Sequence, residues 1–307
     1  MKARLALLAV CGFGLALWAA DQAPAPTQDS TRISIDVTRV NMQCTVTDKK
    51  GRFVTNLTKD DFLVTDTKKP QVIQEFAAES DLPLRLGILI DTSGSIRDRF
   101  HFEQEAATEF INSIIKPHID KALVVSFNNN AELAADLQDE PEAINKAIRD
   151  LRAGGGTALY DAIYYACRDK LGLDRPMHKF RRAIVVVSDG DDNISRFTRD
   201  QALEMAQRND VVIYTISTNI SRMTTPGDKV LKYYTEETGG ISLFPFKVED
   251  LEQSFENIAN ELRHQYSISY RPEPLVTDGA FHAVDLKIKG RKDLVVRVRD
   301  GYYAPKL

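Results

Sequence analysis

Leu84-Arg85-Leu86-Gly87-Ile88-Leu89-Ile90-Asp91-Thr92-Ser93-Gly94-Ser95 is the stretch that decides the fold. Its first seven residues are almost wholly apolar, the pattern of a strand buried on both faces of a sheet. It ends in a carboxylate and two hydroxyls at alternating positions. Oxygen donors of that kind at the end of a buried strand look like half of a site for a hard divalent cation. The other half would be a further hydroxyl and a further carboxylate later in the chain.

Both are present. Ala183-Ile184-Val185-Val186-Val187 reads as another buried strand and ends in Ser188-Asp189-Gly190. Between the two strands, Gly154-Gly155-Gly156-Thr157 opens a helix predicted over residues 158–171. Ligands of an open parallel sheet gather outside the carboxyl ends of its strands. Asp91, Ser93, Ser95, Thr157 and Asp189 are therefore the candidate metal ligands. Taken singly, each has a plainer reading: a Ser or Thr before a helix caps it, and an Asp after a strand makes a turn. Their order, each piece where a strand-end site needs it, is what joins them.

Outward from this stretch, strands and helices alternate. Strands are expected at 84–90, 122–127, 131–137, 183–187, 211–216 and 241–246. Helices are expected at 97–115, 141–151, 158–171, 198–208, 228–237 and 248–264. The first helix has Phe102, Ala106, Phe110 and Ile114 as its expected apolar face. The fourth is opened by a capping Thr198. The pattern predicts an α/β fold, doubly wound, with a mainly parallel sheet and helices on both faces.

The flanks read differently. Ile33, Ile35 and Val37 alternate with polar residues, as do Met42, Cys44 and Val46, and later Tyr266, Ile268 and Tyr270. The plan is an N-terminal β-rich segment (31–80), the α/β domain (84–265) and a C-terminal β-rich segment (266–307). The β-rich ends are expected to pack together as one flanking module, since the termini of folded domains often lie close.

The chain of 307 residues has 27% charged residues and a formal charge of −4, with no basic face, which argues against nucleic-acid binding. Lys2 and Arg4 precede an uncharged apolar run, Leu5 to Ala20, which reads as a secretory signal over 1–20 followed by a linker at 21–30. An uncleaved membrane anchor is the alternative and the one expected route to a membrane. Removing residues 1–20 takes the formal charge from −4 to −6, because Lys2 and Arg4 are the only charges lost. Three cysteines make no disulfide framework. Cys44 and Cys167 are read as small buried side chains, with a bridge between them left open. Asn56-Leu57-Thr58, Asn193-Ile194-Ser195 and Asn219-Ile220-Ser221 fit glycosylation triplets and are treated as unused.

Asp91-x-Ser93-x-Ser95, then Thr157, then Asp189 resembles the metal-ion-dependent adhesion site of von Willebrand factor type A domains at all five positions. Gly155-Gly156-Thr157 followed by Asp161, and Ser188-Asp189-Gly190, resemble that family's usual surroundings. The resemblance covers roughly residues 84–265. It implies that Ser93, Ser95 and Thr157 supply oxygens to the metal, with Asp91 and Asp189 acting directly or through water. Val46-Thr47-Asp48-Lys49-Lys50-Gly51, Leu57-Thr58-Lys59-Asp60-Asp61-Phe62 and Arg299-Asp300-Gly301-Tyr302-Tyr303-Ala304 further resemble the exported von Willebrand-related proteins of acidobacteria.

A divalent ion held mostly by neutral hydroxyls stays electrophilic. Mg²⁺ heads the expectation, with Mn²⁺ or Ca²⁺ also suited to oxygen ligands. The resemblance implies that the open position takes an Asp or Glu of a partner protein. The expectation is thus an exported, metal-dependent protein-binding module, periplasmic, cell-surface or secreted, and not an enzyme. A metal-stabilised structural part of an envelope assembly and a metal-assisted hydrolase are the competing classes. For the hydrolase, neither Ser93 nor Ser95 sits in Gly-x-Ser-x-Gly. His101, His118, His178 and His264 fall on predicted helices, helix ends or loops, and Asp191-Asp192-Asn193 reads as a solvated loop edge. The glycine run lacks the Gly-Lys-Ser/Thr ending of a phosphate loop.

Overall fold

The computed structural model describes residues 39–78, 82–97, 99–219, 223–247 and 250–306. The expected signal, the linker, Ile33, Ile35, Val37 and Val248 lie outside these residues, as does the side chain of Ser95.

The chain opens with β1 (Val40–Asp48), β2 (Phe62–Asp66), β3 (Lys69–Gln71) and β4 (Ile73–Ala77). Next come β5 (Leu84–Asp91), α1 (Phe100–Ile114), β6 (Lys121–Phe127), β7 (Ala131–Gln138), α2 (Pro141–Asp150) and α3 (Leu159–Tyr165). They are followed by β8 (Arg181–Ser188), α4 (Arg199–Arg208), β9 (Val211–Ser217), α5 (Pro226–Thr238), β10 (Ser242–Leu243) and α6 (Asp250–Arg263). The last strands are β11 (Tyr266–Tyr270), β12 (Phe281–Ile288), β13 (Leu294–Arg297) and β14 (Gly301–Tyr303).

The central sheet has the order β10-β9-β8-β5-β6-β7. Its neighbours pair in parallel, except for the antiparallel edge strand β7. Every residue of β5 and β9 is buried, so both faces of the sheet need cover. On one face α1, α2 and α6 pack over Leu84, Leu86, Ile88 and Ile90, with Phe110 and Phe255 meeting at 5.1 Å between ring centres. On the other, α3, α4 and α5 pack over Leu89, Val186 and Ile213. Each such aliphatic or aromatic side chain contributes about 1.5–3 kcal/mol on burial. The architecture is thus the expected α/β sheet with helices on both faces.

The two ends of the chain build antiparallel sheets together. One has the order β13-β1-β11-β4 and the other β14-β12-β2-β3. They share a core that includes Met42, Cys44, Phe62, Tyr266 and Leu286. Tyr270 and Tyr302 both donate their hydroxyls to Asp66 Oδ2, at 3.0 and 2.9 Å, which partners a carboxylate buried in that core. Cys44 and Cys167 are both free and buried, in different cores, and burial pushes both thiols up.

Some local expectations shift. The first helix begins at Phe100, and Phe102 is 51% exposed rather than part of the apolar face. The buried stripe runs through Phe100, Glu103, Ala107, Phe110, Ile111 and Ile114, which places an acid in the core-facing row. The strand expected at 241–246 is reduced to Ser242–Leu243. Pro245 has no N–H for a ladder, and Phe244 and Phe246 face outward. The helix expected over 158–171 passes at Ala166–Lys170 into a wider π turn. Thr198 caps α4 as expected, accepting from Gln201 N at 3.2 Å while its own N–H donates to Gln201 Oε1 at 2.9 Å.

Candidate metal centre

The loop after β5 is tied down by its own acid. Asp91 is fully buried, and its Oδ1 accepts from Ser93 N at 2.8 Å. Its Oδ2 accepts from Ser188 Oγ at 2.7 Å, a bond across to the loop after β8. Ser188 Oγ in turn accepts from Gly190 N at 3.0 Å, so one hydroxyl couples Asp91 to the turn that carries Asp189. Ser93 is buried as well, whereas Asp189 is half-buried.

The glycine loop docks on this pair through its backbone. Gly94 N donates to Gly155 O at 3.1 Å, and Gly154 N donates to Thr92 O. Gly155 sits at φ 101°, where an L side chain is strained, and a Cβ there would meet the Asn129 side chain at about 3.1 Å. Asn129 Oδ1 accepts from Gly156 N at 2.7 Å. Asn193 Oδ1 accepts from Thr157 N at 3.1 Å, and Asn193 N donates to Thr157 O at 3.1 Å. Both bonds use the Thr157 backbone and leave its hydroxyl out.

Asp191-Asp192-Asn193 therefore does more than edge a loop. Asp192 Oδ2 accepts from Tyr160 N at 3.1 Å, in the first turn of α3. Asp161 Oδ1 reciprocates, accepting from Arg196 N and Phe197 N at 2.9 Å each. These bonds cross-brace the Thr157 segment to the loop after Asp189. Gly190, at φ 82°, packs so closely on the first turn of α5 that a Cβ would come within 2.2 Å of Gly227 O.

The structure thus gathers Asp91, Ser93, Thr157 and Asp189 on three mutually bonded loops at one edge of the sheet. It places the backbone of Ser95 there too, in the turn Gly94–Ile96. Reading the sequence quoted Ser188 and Asn193 without these roles and missed Asn129; all three act on backbone amides or on another acid rather than toward a ligand. It also missed Glu103.

Glu103 is 1% exposed, and neither carboxylate oxygen has a hydrogen-bond partner among the described residues. Burial pushes its pKa up to about 8; Arg99 opposes that, while the charges of Asp91 and Asp189 add to it. Asp91 is pushed up to about 6, chiefly by burial, with Asp189 adding to the rise and the Ser188 and Ser93 bonds opposing it. Arg99 itself donates to Thr218 O.

Among the described residues, no three His, Cys, Asp or Glu side chains gather as a metal cage. A cation here would rest on mixed carboxylate and hydroxyl oxygens, a donor set that suits a hard divalent ion. The acids near Asp91, buried Glu103 and half-buried Asp189, fit the same ion. None of the histidines adds nitrogen to the set. His101 is exposed and pairs with Glu105 at 3.2 Å, and His264 stacks on Phe53.

An α/β sheet with hydroxyls and carboxylates gathered on its strand-end loops defines a class of protein. Residues 86–191 match the family model of the von Willebrand factor type A domain, and the chain carries such a domain. Solved structures show the same fold. Proximal thread matrix protein 1 from the mussel byssus is 14% identical, with TM-score 0.52, over 64% of this chain and 51% of that one. The chain therefore spans about half of that protein's length. A second structure of it, described as having a zinc-occupied MIDAS motif, matches with TM-score 0.52 at 14% identity, over 64% and 50% of the two chains. A von Willebrand factor type A protein from Catenulispora acidiphila is 15% identical with TM-score 0.52, over 83% of this chain and 71% of that one. No curated protein matches.

Proposed function

We propose that this chain is an exported, metal-dependent protein-binding module of the adhesion type. Asp91, Ser93, Ser95, Thr157 and Asp189 hold one divalent cation, with Mg²⁺ or Mn²⁺ the best fit to the oxygen donors. When bound, the cation offers an open coordination position to an Asp or Glu of a partner. The observation that carries this reading is the buried acid Asp91, fixed by Ser93 and Ser188 and facing Asp189 across bonded loops. Ser95 enters by its spacing in the sequence. The mussel protein's zinc-occupied site supports a divalent ion in this fold. The apolar run at Leu5 to Ala20 supports export to the periplasm, cell surface or medium. The exposure of His101, the histidine on the helix that follows the Asp91 loop, supports capture of a carboxylate over hydrolysis.

Calorimetric titration of residues 21–307 with MgCl₂ and MnCl₂ tests the site. Thr157→Ala and Asp189→Ala should each weaken binding at least about tenfold, the factor set by 1.4 kcal/mol. Equal binding by wild type and both variants rejects the site. Capture of a partner from envelope extract should stop on chelation. Capture that persists in EDTA, with only a lowered melting temperature, would instead mark the metal as structural.

A further inference from the structure

A second recessed site lies at the other end of the sheet, between the α/β part and the terminal strands. It is a cleft of about 460 Å³, within the range of small-molecule sites. Arg39, Arg168, Arg175, Arg208 and Arg299 line it, against one carboxylate, Asp210. The five arginines come from five separate places: before β1, in the π turn after α3, in the loop before β8, at the end of α4 and before β14.

Asp210 is already committed. Its Oδ1 accepts from Arg299 Nη1 at 2.6 Å and its Oδ2 from Asn41 Nδ2 at 3.3 Å. Arg39, Arg168 and Arg208 pair with Glu75, Asp169 and Glu204, in partly exposed contacts that water screens. Arg175 makes no ion pair among the described residues and is exposed. Arg299 is 7% exposed, and its Nε has no hydrogen-bond partner among the described residues. A buried guanidinium N–H without an acceptor is costly, and an oxygen reaching it from the cleft would relieve that cost. The remaining walls are mostly apolar or aromatic, with Gln207 and Asn209 as polar exceptions. Tyr302, Tyr303, Met205 and Leu275 line them, and the Arg208 guanidinium lies 4.2 Å from the Tyr303 ring centre.

We propose that this cleft binds a small organic anion, with an oxyanion head on the arginines and an apolar or aromatic body against Tyr302, Tyr303 and Met205. Phosphate and carboxylate heads share the required chemistry, because guanidinium donors recognise both in bidentate fashion. The site is independent of the metal centre, which lies at the opposite end of the strands.

The test uses phenyl phosphate, benzoate and neutral benzyl alcohol as probes, titrated into residues 21–307. The readouts are calorimetry and the ¹⁵N shift of Arg299 Nε. Phenyl phosphate or benzoate should bind and move the Arg299 Nε signal; the tighter of the two identifies the head group. R175Q should weaken the bound anion about tenfold, the loss expected for one charge-assisted bond, and R175Q/R208Q should weaken it further. Both residues are exposed, so the fold should hold, which unchanged melting would confirm. Asp189→Ala should leave anion binding unchanged. The proposal is overturned if neither anion moves the Arg299 signal, if the double variant binds like wild type, or if benzyl alcohol binds as tightly as the anions.

Discussion

Arg182 at the amino end of the parallel sheet and Asp91 at its carboxyl end are buried almost equally, at 1% and 0% exposure. Their surroundings differ. The Arg182 guanidinium donates to the carbonyls of Leu171 and Met177 at 2.9 Å each and to that of Asp174. Each of its three nitrogens thus donates to a backbone oxygen. Asp91 has two good donors, yet it faces Asp189 and lies near the unpartnered Glu103. A buried charge whose every nitrogen has a protein partner belongs to the fold. A buried acid set among other acids marks a place where a cation is wanted.

The largest expected effect lies on the amino side of this comparison. Arg182→Met should destabilise the chain by about 3–5 kcal/mol, because three carbonyls lose their donor together. Urea denaturation measures it. A loss below 1 kcal/mol would mean that water or a neighbouring donor serves those carbonyls, and the contrast with Asp91 would fail.

Glu103→Gln tests the carboxyl side. An unfolded Glu titrates near 4.5 and the folded one near 8. Between these values the unfolded chain is ionised while the folded chain keeps its proton. The folded state then binds more protons, so stability falls as pH rises through that window. Below it the group contributes no penalty. In EDTA, Glu103→Gln should be more stable than wild type by about 1–3 kcal/mol at pH 8.5 and nearly equal to it at pH 4.5. Thermal denaturation at both values decides. Parallel curves for the two proteins would show that Glu103 has a donor after all.

Asp91 gives a smaller effect, one that also engages the metal. Its folded pKa of about 6 means that protons compete with a cation for the same carboxylate. Mg²⁺ affinity should be flat above pH 7 and fall about tenfold per pH unit below 6. Calorimetry at pH 5.0, 6.0 and 7.5 reads this directly. Affinity independent of pH would place the cation away from Asp91.

The strand-end donors were legible because they are local. Asp91, Ser93 and Ser95 lie within five residues, and each later piece follows an apolar run or a glycine turn. The parallel sheet was legible for the same reason, from runs such as Ala183 to Val187. What stayed hidden works across the chain. Asn129 reaches Gly156 over 27 residues, and Asn193 reaches Thr157 over 36. An Asn that accepts from a distant backbone amide carries no sign of it in its own neighbourhood. Glu103 was hidden by its residue type: it lies three residues before Ala106 and seven before Phe110, on the apolar face itself, but an acid at such a position reads as solvated. The arginine cleft has no spacing at all, since its five guanidinium groups meet only through the fold.

Asn193→Ala should give the smallest effect and sharpens the comparison most. Its side chain touches the Thr157 amide and none of the candidate oxygens. Losing that bond should cost about 0.5–1.5 kcal/mol of stability. If the brace merely holds the fold, Mg²⁺ affinity should not change. If the loops must be bonded to each other to set Thr157 in the site, affinity should fall about tenfold, the low end of the 10- to 100-fold cost typical of outer-shell partners. Asn193→Asp separates charge from geometry, since the carboxylate can still accept from Thr157 N while adding a negative charge near Asp189. We expect it to retain the affinity that Asn193→Ala loses. Equal loss in both variants would show that the amide group itself matters, and that the carboxyl end is more finely set than its crowding of acids suggests.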